Sequence, residues 1–172
     1  MTVFVRAQTR VEVPFRQAAA RLDEAVADGG LVSVSQQAAD DGLTYLARVR
    51  PAGLGRFGKE VRVRLLPAHW VGGHVVVALR WEPTGATAGL FPSLDADLTL
   101  YPDGVGSVVG IVGCYRPPLG ALGARVDRVL LSRAAQATVQ ALTEEVARRL
   151  TELCRQASPR DTAPLAPVRP GR

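Results

Sequence analysis

The order of elements along this 172-residue chain constrains its fold more than any other feature. A proline-free stretch at 120–157 reads as one long helix. It closes a series of β-type segments interrupted by a single earlier helix. Residues 2–13 alternate, with Val3, Val5, Ala7, Thr9, Val11 and Val13 on one side and Arg6, Gln8, Arg10 and Glu12 on the other. That is the period of a half-buried strand. Pro14 fits a first helical residue, and Phe15, Ala18, Ala19, Leu22 and Val26 then recur at helical spacing until Gly29-Gly30.

The remaining segments read as strands at 31–39, 43–49, 60–66, 74–82, 94–101 and 105–115. Turn signals separate them: Asp41-Gly42, Gly72-Gly73 and Pro102-Asp103-Gly104. Such close turns leave no room for crossover helices, which need a dozen or more residues. The expected fold class is therefore α+β. A largely antiparallel sheet of about seven strands curves around a long C-terminal helix, with one short helix after the first strand.

In the closing helix, Leu131, Ala135, Val139, Leu142, Val146, Leu150 and Leu153 form an apolar stripe. Leu119, Leu122, Val126 and Leu130 project onto a different face. The stripe thus turns by about half a circumference near Leu131, at about 100° per residue. Leu122, Val126 and Leu130 are expected to face a pocket, with Arg133 at its edge.

Composition bounds the function. The length suits one domain, assigned to 1–157, with a disordered Pro/Arg tail at 158–172. The longest apolar runs, such as 75–79, are far shorter than a bilayer span, so no integral membrane association is expected. The N-terminus lacks a charged segment followed by an apolar one, so no signal peptide is read and a cytoplasmic location is the expectation. The net charge is +5, but Lys59 is the only lysine and the tail carries +2 of it. No basic cluster with interleaved aromatics occurs, and nucleic acid is not an expected partner. Cys114 and Cys154 sit in apolar segments and read as buried small hydrophobes.

Chemical motifs are sparse. Gly53-Leu54-Gly55-Arg56-Phe57-Gly58 matches G-x-G-x-x-G, but a strand rather than a helix follows it, which disfavours dinucleotide binding. A hairpin loop with Phe57 at a cavity mouth explains it better. His69 and His74 flank a turn without a third ligand at metal spacing, so no metal or other cofactor is expected.

Val11-Glu12-Val13-Pro14-Phe15 entering the first helix is a recognisable signature. So is Tyr115-Arg116-Pro117-Pro118-Leu119-Gly120 followed by Gly123-Ala124-Arg125-Val126-Asp127-Arg128-Val129-Leu130-Leu131. Over about residues 2–156 the chain resembles the SRPBCC superfamily of START-like, or Bet v 1-like, helix-grip proteins. It is most similar to bacterial polyketide cyclase-like or lipid-transport-like members. The resemblance implies a deep apolar cavity between sheet and terminal helix that takes lipids, polyketides or sterols. It carries no catalytic motif. The Ser- and Gln-rich segment 32–39 departs from relatives that place a further helical turn there.

Strand parity supplies the candidate cavity residues: Tyr45, Val63, Leu65, Val77, Leu79, Trp81, Leu98, Val109, Ile111 and Tyr115, joined by Leu122, Val126, Leu130 and Arg133. The three aromatics either orient a ligand or fill the core. Arg133 either meets a ligand carboxylate or lies on a solvated helix face. The leading functional reading is binding of a hydrophobic small molecule. A cyclase or aromatase using Tyr45, Tyr115 or Arg133 is the second reading, and a protein-interaction module the third. Monomer and homodimer are both open.

Overall fold

The computed structural model describes residues 2–49, 61–84, 93–116 and 128–157, leaving aside the side chains of residues 40–49, 61, 83, 128, 130 and 131. Strand β1 (Val3–Val11) alternates as its sequence does, burying Val5, Ala7 and Val11. The Ser107 hydroxyl donates to the Val13 carbonyl at 2.7 Å and holds the chain where it leaves the sheet. Pro14, at φ −56° and ψ 136°, caps helix α1 (Phe15–Ala27), one position before the first helical residue. Its carbonyl accepts the Ala18 N–H at 3.0 Å. Ala18, Ala19, Leu22 and Ala25 form the buried stripe of α1.

Gly29 takes φ 76° and ends α1. The chain then re-enters a helix at once. The Asp28 carboxylate accepts the Gly30 N–H at 2.7 Å, serving one of the orphan donors at the start of helix α2 (Gly30–Val49). This overturns the two strands expected at 31–39 and 43–49 and the hairpin at Asp41-Gly42. It also overturns the reading of 32–39 as the loss of a helical turn. The alternation Val32-Ser33-Val34-Ser35 is only four residues long. The residues actually buried, Leu31, Ser35, Ala38 and Ala39, have helical spacing. Ser35 is polar, so the stripe is not visible as a run of apolar residues.

The remaining strands are β2 (Val61–Leu65), β3 (His69–Val71), β4 (His74–Pro83), β5 (Ser93–Asp103) and β6 (Gly106–Arg116). All pairings are antiparallel, in the order β1-β6-β5-β4-β2, with β3 pairing to β4 off that path. The sheet thus has six strands among the described residues rather than about seven. Two expected strands are helix, and β3, only three residues long, is too short to show alternation. Gly72 and Gly73, at φ 54° and 86°, form the two-residue turn between β3 and β4. Positive φ at both positions is what a twist-matched hairpin turn requires.

Helix α3 (Arg128–Ala157) packs most extensively on β1 and on α2, and α2 in turn reaches β2. Helix α2 therefore joins α3 in covering the sheet, and α1 packs against β5 and β6. Ala135, Val139, Leu142, Val146 and Leu150 are buried as the periodicity predicts, Leu153 of the same stripe is half-buried, and Cys154 is buried beside them. Thr138 and Thr143 are buried in the same helix, their hydroxyls donating to the Ala134 and Val139 carbonyls at 2.9 and 2.8 Å. Gln136 clips α3 to the outer edge of β1. Its amide nitrogen donates to the Arg6 carbonyl at 2.5 Å, and its oxygen accepts the Arg6 N–H at 3.4 Å. The amide stands where a further strand would pair, which protects an otherwise open edge. Gln17 donates to the Cys154 carbonyl at 3.2 Å and ties α1 to the far end of α3.

A curved antiparallel sheet with a long C-terminal helix on its inner face is the helix-grip architecture. One further expectation is corrected: Cys114 is exposed on the outer face of β6, and only Cys154 is buried. Position 114 shares the parity of the exposed Val112 and opposes the buried Ile111 and Tyr115, so alternation turns its thiol outward.

Candidate functional site

The inner face of the sheet carries most of the residues expected around a cavity. Val63, Val77, Leu79, Trp81, Leu98, Val109, Ile111 and Tyr115 are all buried, and Leu65 is half-buried. Trp81 and Tyr115 meet edge to face, with ring centroids 6.4 Å apart. The Trp81 indole N–H donates to the Ser35 hydroxyl at 2.6 Å. Burial pushes the Tyr115 phenol well above the ordinary tyrosine range, so it is a neutral hydroxyl at physiological pH. Tyr45 falls in α2 rather than in a strand, and its side chain lies outside the described residues, as do Phe57, Leu122, Val126, the side chain of Leu130 and the Gly53–Gly58 motif.

Arg133 is exposed on α3. It borders a groove of about 490 Å³ with Val3, Phe4, Val129, Ser132 and Gln136, beside the β1 edge.

A larger cleft, of about 600 Å³, lies between α1 and the β3–β4 hairpin. Helix α1 supplies Phe15, Arg16, Ala19, Ala20 and Asp23; the hairpin supplies Trp70, Gly73 and Val75; Ala68 and Pro102 complete the wall. Ala19 and Val75 form a buried floor. Phe15 and Trp70 meet edge to face at 5.5 Å and 85°, joining helix to hairpin. Trp70 nevertheless keeps 64% of its surface exposed. A volume of a few hundred cubic ångströms, apolar walls and a few charged groups at the rim are the attributes of small-molecule sites, which run to about 300–1,000 Å³.

None of the cavity residues named from sequence lines this cleft. The sequence signal for it is the Gly72-Gly73 turn with an aromatic two residues before it. The cleft depends on α1 folding back over that hairpin, which strand parity does not encode. His69 and His74 pair with Val76 and Val71 across the hairpin. No three His, Cys, Asp or Glu side chains converge as metal ligands among the described residues. No described helix is long and apolar enough to cross a membrane.

No protein-family model matches the chain, and no curated protein does. Among solved structures, the chain is similar to the Thermus thermophilus protein TTHA0849, with 15% identity and a TM-score of 0.39, covering 88% of this chain and 98% of that one. It is also similar to Ara h 8.0201, with 12% identity and a TM-score of 0.32, covering 88% and 99%. The architecture described above rests on the strand order and helix packing of this chain itself.

Proposed function

We propose that this protein binds a hydrophobic small molecule, and that the molecule sits in the cleft between α1 and the β3–β4 hairpin. The observation that carries the reading is Trp70. An indole left 64% exposed beside an apolar floor is surface that a ligand would remove from water. Its edge-to-face contact with Phe15 fixes the ring as one wall of the cleft. The two-glycine turn that carries β3 leaves space at Gly73, where an added Cβ would meet nothing within 4 Å.

Native mass spectrometry of protein purified from its own host tests the reading. A co-purified small molecule is expected on the wild type and lost from Trp70→Ala. Bare protein that also fails to take up phenylnaphthylamine, a neutral hydrophobic dye, would overturn it.

A further inference from the structure

The charged groups of the cleft narrow the class of ligand, an inference that rests on the small-molecule reading above. Arg16, Ala19, Ala20 and Asp23 follow one another at the spacing of a single helix face. At 1.5 Å per residue, Arg16 and Asp23 stand about 10 Å apart along the axis. The two alanines between them keep that floor low, so a flat molecule lies close against the helix. Elsewhere on α1, Arg21 and Glu24 pair with each other. Arg16 and Asp23 make no ion pair among the described residues. Arg16 also belongs to the first turn of α1, which holds no acidic residue. The positive end of the helix dipole therefore adds to its guanidinium, and Asp23 sets a negative charge at the opposite end.

We infer that the cleft takes a flat aromatic anion in one orientation. Its ring system lies between Trp70 and the alanine floor. Its negative group meets the Arg16 guanidinium, whose planar fork suits a carboxylate, sulfonate or phosphate. A hydroxyl or amino group at its far end donates to Asp23. The reverse orientation would set the anion against the Asp23 carboxylate.

The experiment compares two dyes on the full-length chain by fluorescence titration: anilinonaphthalene sulfonate and phenylnaphthylamine, the same ring system without the sulfonate. The wild type is expected to bind the sulfonate more tightly, by roughly fivefold for a charge-assisted contact at a solvent-open rim. Arg16→Gln should bring the sulfonate down to the level of the neutral dye and leave the neutral dye unchanged. Asp23→Asn should strengthen the sulfonate. Equal wild-type affinities for the two dyes, or an Arg16→Gln variant that keeps the preference, would overturn the anion assignment while the small-molecule reading stands. Failure of Trp70→Ala to weaken either dye would overturn the cleft reading itself.

Discussion

The Trp81 indole N–H and the Ser35 hydroxyl, 46 residues apart in sequence, form a buried hydrogen bond of 2.6 Å between strand β4 and helix α2. It joins a large polar-tipped ring of the inner face to a helix whose sequence alternates like a strand. Because both groups are buried, neither has water as an alternative partner.

Ser35→Ala is therefore expected to cost about 1–3 kcal/mol, the penalty for leaving a buried donor unpaired. Urea unfolding measures it. Trp81→Phe in the Ser35→Ala background should cost less than in the wild type, since the orphaned donor is removed along with the ring nitrogen. Strict additivity of the two changes would show that the bond contributes nothing.

Gly113 is a second point of close approach. A Cβ there would overlap the Ala96 Cβ and the Asp95 carbonyl oxygen on β5, including backbone that cannot swing aside. Gly113→Ala should destabilise by about 1–3 kcal/mol through forced backbone shifts. Gly104→Ala is the comparison: nothing lies within 4 Å of its Cβ, and only its φ of 60° opposes the change, at about 1 kcal/mol. A thermal melt in which the two variants lose stability in the reverse order would refute the close-approach argument.

Gln136 and the β1 edge yield a local rather than a global prediction. Gln136→Glu keeps the shape but removes the donor to the Arg6 carbonyl, and it sets a carboxylate against that oxygen. A loss of about 1 kcal/mol is expected for one hydrogen bond. The sharper readout is hydrogen exchange, where the Arg6 amide should lose protection while β5 amides keep theirs.

Tyr115 makes stability fall on the alkaline side. Its folded pKa is raised by burial, and the unfolded value is about 10. Below that value the residue is protonated in both states and its contribution is complete. Above it the unfolded chain ionises first, so the unfolded state binds fewer protons and stability declines as pH rises. The buried Cys154 thiol, also raised by burial, adds a decline of the same sign that begins at lower pH. Tyr115→Phe should remove the steeper part above about pH 10. Urea unfolding of the variant across that range with an unchanged slope would contradict the assignment.

Several elements were legible in the residues alone. β1, β4, β5 and β6 announce themselves because side chains alternate between a buried and a wet face, and their inner residues are those that parity selects. The stripe of α3 is equally direct: Val139, Leu142, Val146 and Leu150 need only a period of 3.6. The class of fold follows from the order of these elements and their short turns.

Helix α2 and the cleft belong to the tertiary structure. A short Val-Ser alternation is compatible with strand or helix, and the choice is made by its partners: the Asp28 carboxylate at its start, α3 along its side and Trp81 beneath Ser35. The cleft needs α1 and the β3–β4 hairpin to meet, a contact between segments distant in sequence that no local period records. Periodicity reports how each segment divides its side chains between core and water. Which segments then face each other, and what space they leave between them, depends on packing across the whole chain.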